Sequence, residues 1–104
     1  MGAPTTERAA ITRLIRALNR AGAKPTFIDN GEDRVDVRDM GERKVLAEMF
    51  QTDREHLRLQ VPNGPRITLD FVYGNDPFDM LCDFWPCDGP LGETVERELE
   101  RWDN

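Results

Sequence analysis

The sequence contains no serine, one histidine (His56) and two cysteines (Cys82 and Cys87). Without serine there is no Ser-His-Asp triad. A cysteine nucleophile would have to meet His56, and we predict that Cys82 lies on the apolar face of a strand, where a thiol is usually inert. Cys87 is predicted to lie in a loop and is the more accessible thiol. The cysteines form no CxxC pair, so a structural zinc site is disfavoured.

Long apolar runs and an excess of positive charge are also missing. The longest apolar stretches cover a few residues, so no segment is predicted to span a bilayer, and the N-terminus lacks the apolar core of a signal peptide. We therefore expect a cytoplasmic protein with reduced thiols and no membrane contact. The net charge of −6 and the pI near 4.7 disfavour direct binding to nucleic acid, because phosphate neutralisation requires a basic surface.

The length of 104 residues corresponds to one domain, residues 1–104. Apolar residues recur at helical spacing in three segments and alternate with polar residues along the predicted strands. The predicted helices span about residues 5–21, 40–51 and 91–102, and the predicted strands about 26–29, 34–37, 56–61, 66–73 and 79–85. Strands joined by short turns pair antiparallel. The sequence therefore predicts an α+β domain, an antiparallel sheet covered by helices, in the order α-β-β-α-β-β-β-α.

Local signals mark several element boundaries. Gly22 is suited to end the first helix, and Asn30-Gly31 is a strong hairpin signal between the first two strands. Asp39 and Glu42 have the spacing of a capping box, which predicts the start of the second helix. In the last strand, strict alternation predicts one face with Met80, Cys82 and Phe84, and the other with Leu81, Asp83 and Trp85.

The negative charge is concentrated in the last third of the chain. Residues 70–104 hold ten acidic residues against Arg97 and Arg101, a net charge of −8, whereas residues 1–69 hold twelve basic and ten acidic residues. Such a surface either is solvated and maintains solubility, or attracts a cationic partner over a long range. A third alternative is self-complementarity, in which the basic face of the first helix meets the acidic last helix of the same chain or of a second copy in a homodimer. The basic face consists of Arg13, Arg16 and Arg20.

The candidate partner-binding residues are six acidic residues of this region and one tryptophan that could anchor an interface. They are Asp76, Asp79, Asp83, Glu93, Glu96, Glu100 and Trp85. Tryptophan is enriched in the energetically dominant part of protein interfaces. The predicted partner is therefore a basic protein surface, with no cofactor and no catalytic residue assigned.

A carboxylate metal site is the main enzymatic alternative. Asp70, Asp76, Asp79 and Asp83 lie within fourteen residues, and carboxylates of this kind hold Mg²⁺. This alternative requires Asp70, Asp79 and Asp83 to converge. No lysine follows Lys44, so the segment lacks the lysine that metal nuclease sites often use.

The segment from Val72 to Phe84, VYGNDPFDMLCDF, resembles a segment of small acidic proteins of bacterial phages and mobile elements. The likeness is specific over about thirteen residues; Pro77 and the Trp85-Pro86-Cys87 ending depart from the pattern. The resemblance implies a mobile-element origin, and no catalytic residues come with it. By analogy with anti-CRISPR and anti-restriction inhibitors, it favours a non-enzymatic inhibitor of a host nucleic-acid-handling complex. A structural or assembly protein that self-associates is a further alternative.

Overall fold

The computed structural model describes residues 5–73 and 81–102. The predicted order α-β-β-α-β-β-β-α is confirmed. The elements are α1 (Thr5–Arg20), β1 (Lys24–Asp29), β2 (Arg34–Asp36), α2 (Glu42–Glu48), β3 (Arg54–Gln60), β4 (Arg66–Val72), β5 (Leu81–Trp85) and α3 (Gly89–Trp102). Within the described ranges, every helix is too short or too polar to cross a lipid bilayer.

The five strands form one antiparallel sheet in the order β2-β1-β3-β4-β5. The chain leaves the edge strand β2 through α2 and returns as β3 on the other side of β1. Successive side chains of a strand point to opposite faces of the sheet. Residues paired across neighbouring strands therefore form rows, and each row lies on one face. One row is apolar and consists of Ile28, Leu57, Leu69 and Phe84. The rows on the opposite face are polar and aromatic, and they matter for the candidate site.

The apolar face of the sheet and the three helices enclose one hydrophobic core. Ile11, Leu14 and Leu18 of α1 are fully buried, as are Leu57 and Phe71 of the sheet. From the other helices, Val45, Leu46, Leu91 and Val95 join the same cluster. Burying these side chains is the main favourable contribution to folding. The described helices therefore pack on one face, and we call the opposite side the helix-free face.

Gly22 ends α1 as predicted. Its backbone has a φ of 95°, in the left-handed region that favours glycine. The N–H of Gly22 donates to the carbonyl of Asn19, and the N–H of Ala23 donates to the carbonyl of Leu18, both at 2.9 Å. These two bonds are the Schellman arrangement, which satisfies carbonyls left over at a helix end. The turn directs the chain straight into β1.

Replacing Gly22 with alanine is expected to lower the free energy of unfolding by about 1 kcal/mol, because the left-handed region is unfavourable for a residue with a Cβ. A Cβ at this position meets only the Val61 side chain, at an ordinary 3.8 Å, so steric overlap adds nothing. Urea denaturation measures the change. Gly22→Asn serves as the comparison and should cost less, because asparagine tolerates this conformation. Equal losses for both variants would contradict the explanation.

The second helix is shorter than predicted, and the capping-box prediction is wrong. Helix α2 spans Glu42–Glu48, its N-cap is Gly41, and no side chain caps it. The Glu42 carboxylate is engaged elsewhere, since it accepts two hydrogen bonds from Arg16 of α1 at 3.0 and 2.8 Å. At the other end Phe50 adopts a φ of 67°, which stops the helix before the predicted residue 51.

The predicted face of Cys82 is also wrong. The pairing of β4 with β5 shifts between Asp70 and Phe71, so that Asp70 faces Asp83 while Phe71 faces Leu81. This irregularity leaves Cys82 as an extra, exposed residue. As a result both Leu81 and Phe84 pack against the core, although strict alternation would separate them.

Candidate functional site

The structure divides the predicted partner-binding residues between two sides of the fold. Asp83 and Trp85 lie on β5 and are directly opposite Asp70 and Thr68 on the helix-free face. The three glutamates lie on α3, which packs on the other side of the sheet. Asp76 and Asp79 lie outside the described residues. The described candidates therefore form two surfaces rather than one continuous acidic patch.

The α3 surface is an acidic stripe made of Glu93, Glu96 and Glu100, all exposed. At 100° per residue these three positions fall within about 60° of the helix circumference. The opposite side of α3 is held in the core by Leu91, 3% exposed, and Val95, fully buried. The acidic stripe is therefore presented on a helix whose orientation is set by packing.

Helix α3 carries three further charged residues, Glu98, Arg101 and Arg97. Glu98 is 6% exposed, and its Oε1 lies 3.5 Å from the Arg101 guanidinium one turn later. Arg97 is exposed and lies beside the acidic stripe on the helix circumference. The stripe thus combines three exposed carboxylates with one neighbouring cation, a net charge of −2.

The basic face of α1 forms an ion pair with α2. Arg13, Arg16 and Arg20 are exposed, and Arg16 forms its ion pair with Glu42 of α2 at 2.8 Å. These hydrogen bonds lower the pKa of Glu42 and raise that of Arg16. Helices α1 and α3 instead contact each other through the shared core. The two helices therefore meet through apolar side chains, while Arg16 of the basic face pairs with α2.

On the helix-free face, Asp70 is a buried carboxylate with an arginine and a histidine as neighbours. It is 4% exposed, and both of its oxygens accept hydrogen bonds from Arg54, at 3.2 and 2.8 Å. His56 Nε2 lies 3.3 Å from Asp70 Oδ1. The hydrogen bonds to Asp70 raise the pKa of Arg54. A bidentate pair of this kind fixes the orientation of the carboxylate and occupies both of its oxygens.

Among the described residues, the structure gives little support to the predicted carboxylate metal site. Within residues 5–73 and 81–102, no three histidine, cysteine, aspartate or glutamate side chains come together as metal ligands. Asp70 and Asp83 are cross-strand neighbours, but the oxygens of Asp70 are held by Arg54. Asp79, the third member of that hypothesis, lies outside the described residues.

The helix-free face also brings together aromatic and cationic side chains that the sequence reasoning missed. Arg34 and Arg38 lie over the Phe27 ring, with guanidinium carbons 5.4 and 5.3 Å from its centroid. At the other end of the face His56 meets the ring of Trp85 edge-on, with centroids 5.7 Å apart. Trp85 is 44% exposed and is the exposed large hydrophobic residue of the described chain.

A row of four in-register residues joins these two ends, one from each of β1, β3, β4 and β5. They are Phe27, Arg58, Thr68 and Trp85. Strand alternation in the sequence indicates that each of them faces away from the core, but not that they are neighbours. Neighbours across a sheet depend on register, for which the sequence offers only local signals.

The chain matches no protein-family model, no curated protein and no solved structure. Its functional assignment therefore depends on the side chains and surfaces described above.

Proposed function

We propose that the protein is a non-enzymatic interaction protein that binds the basic surface of a partner protein through the acidic stripe of α3. The observation that carries the proposal is the exposure of Glu93, Glu96 and Glu100 on one side of a helix whose other side is buried. The net charge of −8 over the last 35 residues adds a long-range attraction to a cationic partner.

The partner we propose is a host nucleic-acid-handling complex, and the effect is inhibition by occlusion. Proteins of this class present lysine and arginine side chains to phosphates. The row of carboxylates on α3 competes with phosphates for these lysine and arginine side chains. The rest of the domain then blocks the surface of the partner that would bind the nucleic acid. The likeness of residues 72–84 to proteins of phages and mobile elements supports this choice of partner, by analogy.

Neutralising the acidic stripe tests the proposal. The triple variant Glu93→Gln, Glu96→Gln, Glu100→Gln should bind the partner at least about tenfold more weakly at low salt, because each rim charge contributes to steering and complementarity. The matched control Glu32→Gln, Asp33→Asn, Asp39→Asn removes three exposed carboxylates from the β1–β2 loop and the start of α2, and should bind as wild type does. The partner is captured from host lysate with the tagged full chain, purified, and titrated by calorimetry.

Salt provides the second readout. The difference between wild type and the triple variant should shrink as ionic strength rises, because screening weakens exposed charges beyond about 10 Å at 0.1 M salt. Wild-type affinity in the stripe variant, or equal losses in stripe and control variants, would overturn the proposal.

A further inference from the structure

The helix-free face contains a small cavity that is separate from the acidic stripe. It has a volume of about 30 Å³ and is lined by Phe27, Asp29, Arg34, His56, Arg58 and Thr68. A cavity needs about 10–15 Å³ to hold one water molecule, so this one has room for about two water-sized groups, such as two oxygens of a phosphate. Its lining is polar and mostly hydrogen-bond donating, with the Phe27 ring on one side.

Charge within this cavity favours an anion. Arg34 and Arg58 both line the cavity, and neither forms an ion pair with a carboxylate among the described residues. The Arg34 guanidinium lies over the Phe27 ring, 5.4 Å from its centroid. The single carboxylate of the lining, Asp29, accepts a hydrogen bond from the N–H of Gly31 at 2.9 Å. Two arginines and one aspartate give the lining a net charge of +1 from these three side chains.

Two other carboxylates of this face are paired with cations. Asp36 accepts hydrogen bonds from Arg38, and Asp70 accepts them from Arg54. Asp83 lies beside Asp70 on the β4–β5 side of the face. An anion is therefore attracted to the side of the face where β2 carries Arg34 and β3 carries Arg58, and repelled from the β4–β5 side, where Asp83 lies.

Trp85 lies at the other end of the same row. It faces Thr68 directly, and Thr68 faces Arg58, so Trp85 and Arg58 are two strand spacings or about 10 Å apart. The exposed indole offers an apolar surface on which a planar ring can stack. One ligand with an anionic group and an aromatic ring could reach both features.

We propose that the helix-free face binds a nucleoside monophosphate, with the phosphate in the cavity between Arg34 and Arg58 and the base stacked on Trp85. Guanidiniums bind phosphate oxygens through charge-assisted hydrogen bonds, and the Thr68 hydroxyl adds a neutral donor. A mononucleotide fits better than a polynucleotide, because the net charge of −6 repels a long chain of phosphates. The site uses no residue of the acidic stripe and does not depend on the proposed function.

Calorimetric titration of the full chain with adenosine 5′-monophosphate, adenosine and inorganic phosphate tests this site. The monophosphate should bind at least about tenfold more tightly than either fragment, because one stacked base is worth roughly a factor of ten. No measurable binding of the monophosphate, or affinity no greater than that of inorganic phosphate, would overturn the proposal.

Variants then assign the two halves of the site. Arg58→Gln and Arg34→Gln should each weaken binding of the monophosphate about tenfold and leave adenosine unaffected, because only a charge-assisted bond is lost. Trp85→Ala should weaken the binding of the monophosphate and of adenosine but not of phosphate, and Trp85→Phe should restore stacking.

The matched controls Arg13→Gln and Arg20→Gln change exposed arginines of α1 and should bind as wild type does. Equal effects on affinity in the control and site variants would contradict the assignment of Arg34, Arg58 and Trp85 to this site. Thermal unfolding of each variant checks that it is folded.

Discussion

Replacing Glu55 with alanine should lower the free energy of unfolding by about 3 kcal/mol, because the hydrogen bonds of a buried charge are lost and their donors stay behind. Glu55 is 1% exposed and faces the core from β3. Its Oε1 accepts hydrogen bonds from the N–H of Phe50 at 2.8 Å and from the Tyr73 hydroxyl at 2.9 Å. Its Oε2 accepts one from the N–H of Gln51 at 2.9 Å.

The size of the effect comes from what the carboxylate holds in place. Phe50 has a φ of 67°, a left-handed conformation that is unfavourable for an aromatic residue. Its ring lies 4.6 Å from that of Tyr73, so the same carboxylate positions both partners of an aromatic contact. Without Glu55, the turn after α2 loses two acceptors and its strain is no longer offset.

Urea denaturation and thermal unfolding measure this prediction. For a domain of this size, 3 kcal/mol corresponds to a fall in Tm of roughly 15 °C. Tyr73→Phe removes one donor and should cost about 1 kcal/mol. Glu32→Ala, at an exposed position of the β1–β2 loop, is the control and should change stability by less than about 0.5 kcal/mol. A Glu55→Ala loss as small as that of the control would show that the buried carboxylate is dispensable.

Replacing Gly92 with alanine should destabilise the protein by about 2–3 kcal/mol, the range typical of overpacking, even though alanine is the better helix former. A Cβ at this position would overlap the carbonyl oxygen of Cys87 and lie 2.6 Å from the carbonyl carbon and 3.2 Å from the Pro86 oxygen. These are backbone atoms, which cannot turn aside as a flexible side chain would. The first turn of α3 therefore packs directly on the segment that leads out of β5.

The matched control is Gly41→Ala at the N-cap of α2. A Cβ there has no atom within 4 Å, and its φ of −74° suits any residue. We expect a change within about 0.5 kcal/mol for this control. Because the overlap would shift α3 away from β5, the Gly92 variant should also show faster amide hydrogen exchange in α3. An unchanged Tm for Gly92→Ala would mean that the helix and the segment after β5 separate without cost.

Local patterns in the sequence predict the elements well where one signal dominates. The spacing of Ile11, Leu14 and Leu18 predicts α1, and Gly22 marks its end, because both signals depend on residues within two turns of each other. The predicted boundaries of α2 were wrong for the opposite reason. Glu42, the predicted capping-box partner of Asp39, is held by Arg16, twenty-six residues away in sequence. The end of the helix is held by the carboxylate of Glu55, which lies on the next strand, β3.

The candidate site shows the same limit. The sequence identified Trp85 and the acidic residues of the last third, because composition and charge are visible without coordinates. It did not indicate that Asp83 and Glu93 lie in different layers, nor that Trp85 meets His56. The irregular pairing of β4 with β5 also changed which side of the strand Cys82 occupies.

By itself, then, the sequence determined the α+β class, the order of the elements, the concentration of acid in the last third and the absence of a serine-based triad. Only the tertiary structure decided which side chains meet: Arg54 with Asp70, Arg34 and Arg38 over Phe27, and the row from Phe27 to Trp85. The physical reason is that periodicity records which side of an element is buried, a local property. Register and side-chain pairing depend on how all segments pack around one core, and no single segment carries that information.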